Sequence, residues 1–232
     1  MSKKIMMNII VSGASKGIGY EVAHQAAESG HNVLAVARNA ILLDRLVGKS
    51  ELITALKVDL IKDECAVSIA SWINKVGKVD ALINNAGQLI NKPFIETSIE
   101  DFKNQFDANI ITAVKLIQSV ILFMKKPAHI VNISSMGGFQ GSSKYAGLSA
   151  YSASKGGLSV LTECLAEELN DYKISVNALA LGAVQTEMLE NAFPGYNAPV
   201  SAAEMASYII DFASNGHRFY NGKILPIAIG NP

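Results

Sequence analysis

Ser12-Gly13-Ala14-Ser15-Lys16-Gly17-Ile18-Gly19 is the segment of this 232-residue chain that indicates its fold most strongly. An apolar run at residues 7–11 precedes it and has no polar alternation, which predicts a parallel strand buried on both faces. A helical pattern follows the glycines as far as Ser29. Because a strand, a glycine turn and a helix N-terminus aim backbone N–H groups at a phosphate, we predict a dinucleotide-binding unit here.

Strand and helix patterns alternate along the rest of the chain. The other predicted strands are residues 32–37, 52–58, 81–84, 129–133 and 173–179, with a last one within 222–230. The other helical patterns are residues 62–75, 93–126, 149–168 and 201–214, and residues 187–199 are predicted to be irregular. This alternation predicts an α/β fold: a single Rossmann-fold domain over residues 1–232, with a doubly wound, seven-stranded parallel sheet and helices on both faces.

Three local signals fix element boundaries in this prediction. Pro127 is expected to end the helix at residues 93–126, because proline cannot continue a helix. Ser201 and Glu204 have the spacing of a capping box at a helix start. Pro226 cannot donate to a ladder, so the last strand is expected at an edge of the sheet.

The composition argues against several classes of protein. The 20 basic and 20 acidic residues balance, so no electrostatic footprint for nucleic acid or an anionic membrane is expected. No stretch approaches the roughly 18 apolar residues of a membrane span. Cys65 and Cys164 have neither disulfide-framework nor metal-site spacing, and the four histidines are scattered, so we predict no metal. The apolar run after Lys3 and Lys4 is too short for a signal peptide, which favours a cytoplasmic protein.

Tyr151 and Lys155 are the candidate chemical groups. They are four residues apart in the predicted helix at 149–168, so they share one face of it. A nearby ammonium favours the phenolate and lowers a tyrosine pKa from its ordinary value of about 10. Such a pair suits acid/base catalysis of carbonyl–alcohol interconversion, although a Tyr and a Lys at this spacing also occur by chance.

Two cations, one in the glycine turn and one after the second strand, indicate which cofactor binds. An Asp or Glu about 20 residues past the glycines usually binds the ribose of a cofactor that lacks a 2′-phosphate. This chain has no acid at residues 31–43, but it has Arg38 there and Lys16 in the glycine turn. Both would suit a 2′-phosphate, which predicts NADP(H). The alternative is that both are solvated surface charges.

With these motifs in order, the chain resembles the short-chain dehydrogenase/reductase family over nearly its whole length. The matching positions are Gly13, Gly17 and Gly19 of the cofactor turn, Asp59, the segment Asn84-Asn85-Ala86-Gly87, the set Asn109, Ser135, Tyr151 and Lys155, and Asn177, Gly182 and Thr186 after the sixth strand. Two features depart from the family pattern. Leu181 replaces a usual proline, and the loop between Ser135 and Tyr151 is a few residues long for the family.

The resemblance implies a hydride transfer between a nicotinamide and a carbonyl carbon. Tyr151 would donate the proton to the developing alkoxide, and Lys155 would bind the nicotinamide ribose and lower the tyrosine pKa. Ser135, with Ser134 as the alternative, would donate a hydrogen bond to the substrate oxygen. Asn109 would hold a water that connects Lys155 to solvent.

The resemblance also implies where the cofactor and substrate bind. The expected cofactor-binding residues are Gly13, Ser15, Lys16, Gly17, Ile18, Gly19, Arg38, Asp59, Leu60, Asn85, Ala86, Gly87, Tyr151, Lys155, Gly182, Val184 and Thr186. Substrate choice is expected in the loop at 136–150 and in a short lid at 187–200. A homodimer or homotetramer would form through helices at about 97–124 and 151–170.

The leading hypothesis is an NADPH-dependent ketone or 3-oxoacyl reductase. The alternatives are an NAD-linked alcohol dehydrogenase and a non-catalytic nucleotide-sensing protein, since fold alone does not determine function. The substrate stays open among a 3-oxoacyl thioester, a small ketone and a sugar-like carbonyl. A sensor would not need Tyr151, Lys155, Ser135 and Asn109 together, which favours the enzyme.

Overall fold

The computed structural model describes residues 6–62 and 65–229. Its parallel main sheet contains seven strands: β1 (Asn8–Ser12), β2 (Asn32–Ala37), β3 (Ile53–Lys57), β4 (Val79–Asn84), β5 (Met124–Ser135), β6 (Ile174–Leu181) and β9 (Ile224–Ile227). A separate parallel pair consists of β7 (Val184–Gln185) and β8 (Val200–Ser201). The helices are α1 (Gly17–Glu28), α2 (Ala40–Val47), α3 (Ala66–Val76), α4 (Ile99–Phe106), α5 (Thr112–Val120), α6 (Ser149–Glu168), α7 (Glu187–Ala192) and α8 (Ala202–Asn215).

The strand order confirms the predicted doubly wound sheet. The order is β3-β2-β1-β4-β5-β6-β9, and each neighbouring pair is parallel. The chain builds outward from β1 in one direction through β2 and β3, and then in the other direction from β4. This reversal opens a crevice at the carboxyl ends of β1 and β4, which is where open α/β sheets bind ligands.

Strand β1 shows why its apolar run has no alternation. All five of its residues are buried. Ile9 and Val11 face the layer that contains α1, α2 and α8, and Ile10 faces the layer that contains α3, α5 and α6. Because successive side chains point to opposite faces, a strand covered on both sides needs apolar residues at every position.

Two of the boundary signals are confirmed. Ser201 caps α8: its Oγ accepts a hydrogen bond from the backbone N–H of Glu204 at 3.2 Å, and the Glu204 carboxylate accepts one from the Ser201 N–H at 2.9 Å. Pro226 lies in β9 at the edge of the main sheet, opposite Ala180 of β6. A residue without an N–H is tolerated there because one side of the strand has no neighbour in the sheet.

The helix predicted over residues 93–126 is wrong at its carboxyl end. Helix α4 begins only at Ile99, a π-helical turn at Asp107–Ile111 separates it from α5, and β5 already begins at Met124. Pro127 therefore lies inside β5 and does not end a helix. Apolar residues continue from α5 into β5, so hydrophobic periodicity alone does not place this boundary.

Two short helices were not predicted. Helix α2 follows β2 directly, and Asn39 caps it by accepting a hydrogen bond from the Leu42 N–H at 3.1 Å. Helix α7 lies in the segment that was predicted to be irregular, and Thr186 caps it by accepting from the Leu189 N–H at 3.2 Å. Both helices are too short for a clear 3.6-residue pattern, and their caps are the only strong local signals.

The helical stretch Ile99–Phe123 contradicts the expectation that nothing in the chain resembles a membrane span. By length and composition it is long and apolar enough to cross a membrane, and an 18-residue window within it has a mean hydropathy of 1.5. In the structure its α5 part packs against α3 and β4 and buries residues such as Leu116, Ile117 and Val120 in the core. This is the packing of a core helix in an α/β domain.

Candidate active site

A cleft of about 580 Å³ opens at the carboxyl ends of the central strands. Its lining contains nearly all of the predicted cofactor residues: Gly13, Ser15, Lys16, Gly17, Ile18, Arg38, Asp59, Leu60, Asn85, Ala86, Gly87, Tyr151, Lys155, Gly182, Val184 and Thr186. Gly19, also predicted to contact the cofactor, does not line the cleft. A Cβ on Gly19 would collide with the Gly13 carbonyl and with Asn85 Nδ2, so this glycine permits close packing behind the turn.

The glycine turn is locked to the loop that follows β4. Ser12 Oγ accepts hydrogen bonds from the backbone N–H groups of Asn85 and Ala86, each at 3.0 Å. Asn85 Nδ2 donates to the Ser12 carbonyl at 3.1 Å. Gly13 has a φ of +68°, and a Cβ there would lie 2.9 Å from Ala86 Cα, so only glycine fits this close approach. The two loops therefore form one rigid wall of the cleft.

The N-terminus of α1 is suited to a phosphate. Its N-cap, Lys16, makes no capping hydrogen bond through its side chain, and the first turn of this described helix contains no acid. Gly17 and Ile18 of that turn line the cleft. Because the first N–H groups of a helix have no partner within the helix, they are available to an anion. The chain therefore fits the pyrophosphate of a dinucleotide.

Tyr151 and Lys155 both reach the cleft from α6, as their spacing predicts. Lys155 is only 4% exposed, and its Nζ donates a hydrogen bond to the backbone carbonyl of Ile133 on β5 at 2.8 Å. The same nitrogen lies 6.0 Å from the centroid of the Tyr151 ring. Burial disfavours the ammonium and lowers the pKa of Lys155 from 10.5 to about 8.

The expected lowering of the Tyr151 pKa by Lys155 is wrong for this structure. Burial raises the pKa of Tyr151 above its ordinary value, and the hydrogen bond with Ser135 acts in the opposite direction but is the smaller effect. The Lys155 ammonium is directed to the Ile133 carbonyl instead of the phenol oxygen. Tyr151 is therefore a protonated phenol at neutral pH, the form that can donate a proton.

The two neighbouring serines at the end of β5 have different surroundings. Ser134 is buried; its Oγ donates to the Lys155 carbonyl at 3.0 Å and lies 3.0 Å from Ser159 Oγ. Ser135 Oγ accepts from the Gly137 N–H at 3.1 Å and shares a hydrogen bond with Tyr151. Of this pair, Ser135 is the one whose hydroxyl is next to the tyrosine.

Asn109 lies in the π-helical turn, which explains an asparagine within a helical segment. Its Oδ1 accepts from the Gln88 N–H at 2.8 Å, and its Nδ2 donates to the Gln88 carbonyl at 3.0 Å and to Ser154 Oγ at 2.8 Å. Asn109 does not line the cleft but lies behind Gly87, where a Cβ would approach Asn109 Oδ1 to 2.6 Å and Lys155 Nζ to 3.3 Å. Both amide N–H groups are used, so one lone pair on Oδ1 is left for a water.

Arg38 and Lys16 both line the cleft but differ in their partners. Arg38 is exposed at the end of β2 and makes no hydrogen bond or ion pair with any residue that the structure describes. Lys16 forms an ion pair, with its Nζ 2.7 Å from Glu187 Oε1 of α7. Both predicted cations thus line the cleft, but Glu187, an acid from outside residues 31–43, pairs with Lys16.

Helix α7 and the turn after it occupy the segment in which a short lid was predicted. Asn91 Nδ2, in the loop after β4, donates to the Ala192 carbonyl at 2.8 Å. Gln185 Oε1 accepts from the Ala198 N–H at 2.8 Å, beside the β7–β8 pair. Gln88 and Leu89 are lining residues that the sequence reasoning missed, whereas Met188 and Leu189 lie in the 187–200 segment where substrate contacts were expected. The described residues contain no cluster of His, Cys, Asp or Glu that could hold a metal ion.

Comparisons with known proteins identify the family of this chain. A family model described as short chain dehydrogenase matches residues 7–197. The chain belongs to the short chain dehydrogenase family. Carbonyl reductase (NADPH) 2 of Sus scrofa is 36% identical over 185 residues, which cover 78% of this chain and 73% of that protein. The resemblance inferred from the motifs is thus confirmed.

Two solved structures show the same fold. A short chain dehydrogenase from Burkholderia cenocepacia J2315 in complex with NADP has a TM-score of 0.88 at 23% identity and covers 99% of both chains. The 3-ketoacyl-(acyl-carrier-protein) reductase from Brucella melitensis, complexed with NADH, has a TM-score of 0.85 at 24% identity and covers 97% of this chain and 98% of that one. As a short chain dehydrogenase, the chain is an oxidoreductase that binds a nicotinamide cofactor.

Proposed function

We propose that this short chain dehydrogenase is an NADPH-dependent carbonyl reductase with Tyr151 as its proton donor. One observation carries the proposal: a single cleft has Tyr151, Ser135 and Lys155 at one end and Arg38 at the other. The phosphate-binding N-terminus of α1 lies in the same cleft. One cleft therefore contains both the residues proposed for proton transfer and the residues proposed to bind the cofactor.

The two hydroxyls of Ser135 and Tyr151 are arranged to receive a carbonyl oxygen. They share a hydrogen bond, and burial keeps the tyrosine protonated. A substrate oxygen placed between them would accept a hydrogen bond from each, and Tyr151 would pass its proton to that oxygen as negative charge develops there. When bound, the nicotinamide supplies the hydride.

Lys155 and Asn109 support this proton transfer. The Lys155 ammonium, held at the Ile133 carbonyl, has two further N–H groups for ribose hydroxyls. Asn109 Oδ1 lies next to Gly87, which lines the cleft, and can hold a water near Lys155 Nζ. Such a water would return a proton to the site from solvent after each turnover.

The preference for NADPH rests on the charge at the end of β2. Arg38 lacks a partner among the described residues and lines the cleft, and no acid lies at residues 31–43. A guanidinium binds a phosphate by paired hydrogen bonds. The relative from Sus scrofa is named for NADPH, whereas solved structures of this fold contain either NADP or NADH. Arg38 is thus the residue on which the choice depends.

The raised pKa of Tyr151 also favours reduction over the alternative of an NAD-linked alcohol oxidation. An oxidation needs a base, and burial disfavours the phenolate that would serve as one. A non-catalytic nucleotide sensor would not need the hydrogen-bonded pair of Tyr151 and Ser135. The substrate classes that we propose to test are 3-oxoacyl thioesters, small ketones and sugar-like carbonyls.

The proposal includes a cytoplasmic homo-oligomer. The long helices leave large apolar side chains exposed, among them Ile99 at 73%, Leu122 at 78% and Val160 at 59%. A second copy of the chain that packed against these helices would cover them. Size-exclusion chromatography with light scattering should show a dimer or tetramer, and a monomer at micromolar concentration would contradict this part of the proposal.

A thermal-unfolding titration with NADPH and, separately, NADH tests the cofactor, and the three carbonyl classes test the reaction. A ligand at 100 times its Kd adds about 2.7 kcal/mol of stability. We expect NADPH to stabilise at lower concentration than NADH, and at least one carbonyl to consume NADPH. Stabilisation by NADH alone would contradict the NADPH assignment, and a stabilised protein that turns over no carbonyl would favour a sensor.

A further inference from the structure

An ion pair joins two of the residues that line the cofactor cleft. Lys16 Nζ in the glycine turn lies 2.7 Å from Glu187 Oε1 at the first position of α7, and the two residues are 171 positions apart in the sequence. Their side chains are 52% and 60% exposed. Both line the cleft, so the pair is within reach of a bound cofactor.

The backbone around Glu187 holds its carboxylate at the glycine turn. Thr186 caps α7 and fixes its first turn, and Asn91 holds the last residue of the helix, Ala192. A Cβ added to Gly17 would lie 3.5 Å from Thr186 Cγ2, so the N-cap of α7 lies close to the turn that carries Lys16. The ion pair therefore joins two well-defined elements.

The pair changes the charge that a cofactor meets. Lys16 and Arg38 are the two cations proposed for a 2′-phosphate, and Glu187 neutralises the first of them. To reach Lys16, a 2′-phosphate must either displace the Glu187 carboxylate or bind next to it. In the second case the two negative charges repel each other. A cofactor with a 2′-hydroxyl has no charge at that position, so Lys16 adds little to its binding free energy and Glu187 removes little from it. The contact between Lys16 and Glu187 thus acts on one cofactor much more than on the other.

We propose that Glu187 is a specificity-determining residue that competes with the cofactor 2′-phosphate for Lys16 and so limits the preference for NADPH over NADH. This inference rests on the proposed use of Lys16 and Arg38 for the phosphate. Exposed ion pairs are weak, and Glu187 also repels a phosphate at short range. We therefore expect its neutralisation to tighten NADPH binding by about threefold to tenfold.

The test measures the Kd of NADPH and of NADH by fluorescence titration for the wild type, Glu187→Gln, Lys16→Met and the double variant. Glu187→Gln should tighten NADPH binding by the amount given above and leave NADH within about twofold. In the Lys16→Met background, Glu187→Gln should have a much smaller effect, because the competition needs the lysine. The matched control is Glu190→Gln, which removes the same charge from α7. Glu190 accepts only from the Gly195 N–H among the described residues, at 3.1 Å.

The NADPH assignment and the role of Glu187 can be contradicted separately in this experiment. The ratio of the wild-type Kd values tests the NADPH proposal, and the change in that ratio tests the role of Glu187. If Glu187→Gln changed the Kd of NADPH and the Kd of NADH by the same factor, the inference would be overturned. The ion pair would then only hold α7 against the glycine turn. The same NADPH effect in Glu190→Gln, or an undiminished effect without Lys16, would also overturn it.

Discussion

The Lys155 ammonium donates a 2.8 Å hydrogen bond to the Ile133 carbonyl, so a buried charge on α6 is held near the carboxyl end of strand β5. Ile133 is followed in the chain by Ser134 and Ser135, and Ser135 shares a hydrogen bond with Tyr151. The contact therefore fixes the proton donor and its serine neighbour relative to each other. Burial of the ammonium is unfavourable, as the pKa of about 8 shows.

Replacing Lys155 with Met should abolish turnover but raise the stability of the fold. The folded-state pKa of about 8 lies below the ordinary 10.5, so the charged lysine destabilises the protein wherever it stays protonated, at pH below about 8. Methionine removes the charge but leaves the Ile133 carbonyl without this donor, which offsets part of the gain. We expect a net gain of about 1 kcal/mol in the free energy of unfolding at pH 7, measured by denaturant titration. A destabilised variant would show that the hydrogen bond outweighs the cost of the buried charge.

Substitutions of the two serines after Ile133 should have different effects, one on catalysis and the other on stability. Ser135→Ala removes the hydroxyl next to Tyr151 and should lower kcat by about 100-fold with little change in Tm. Ser134→Ala serves as the matched control, because its hydroxyl bonds to Lys155 and Ser159 within the protein. It should lower Tm and leave kcat within about threefold. The reverse pattern would assign the substrate contact to Ser134.

Arg38→Asp should shift cofactor use from NADPH toward NADH. The substitution removes a cation that has no ion-pair partner among the described residues and places a carboxylate at the end of β2, where it can bind a ribose hydroxyl. We expect kcat/KM for NADPH to fall by about 100-fold while the value for NADH holds or rises. Arg45→Asp, in the last turn of α2, controls for the change in net charge. An unchanged ratio in Arg38→Asp would contradict the 2′-phosphate assignment.

His129 should make the fold sensitive to acid. Asn177 Nδ2 lies 2.9 Å from its Nε2, and its Nδ1 lies 3.2 Å from the Ala213 carbonyl, which fits a neutral ring that accepts at Nε2 and donates at Nδ1. Burial, the largest cause, lowers the pKa of His129 from 6.5 to about 4, and His217 nearby adds to the effect. The neutral form is thus favoured in the folded state. Its stabilisation is complete above about pH 6.5 and is lost as the pH falls toward 4.

The size of this acid effect is roughly 3 kcal/mol between pH 6.5 and 4. His129→Gln should show a weaker dependence of the free energy of unfolding on pH over that interval. His24→Gln, on α1, should keep the wild-type dependence. A variant at His129 with the full wild-type slope would assign the acid sensitivity to other groups, of which His217 is the first to test.

The parts of the fold that local patterns encode were predictable. The glycine turn after β1, the bounds of β2 and the whole of α6 follow from residues that are close in sequence. The boundary at Met124 was not predictable, because apolar residues continue from helix to strand there. Helix α7 was missed because a helix of six residues is too short to show a hydrophobic pattern with a 3.6-residue period.

In the candidate site, too, features that depend on residues close in sequence were predictable, and features that depend on distant residues were not. The spacing of Tyr151 and Lys155 on one helix face is a local property, so their meeting in the cleft was predictable. The pairing of Lys16 with Glu187 joins residues 171 positions apart, and the single sequence holds no signal for it. The direction of the Tyr151 pKa depends on how deeply the residue is buried and on where the Lys155 ammonium points, which only the packed structure shows.

The central claim is that Tyr151 delivers the proton in an NADPH-dependent carbonyl reduction. The most direct measurement compares kcat of the wild type and Tyr151→Phe with the carbonyl that the wild type reduces fastest, alongside the Kd of NADPH for both. We predict a loss in kcat of at least about 100-fold with the Kd unchanged within about twofold, because phenylalanine keeps the ring but has no proton to give. A Tyr151→Phe variant that retains full turnover would contradict the assignment.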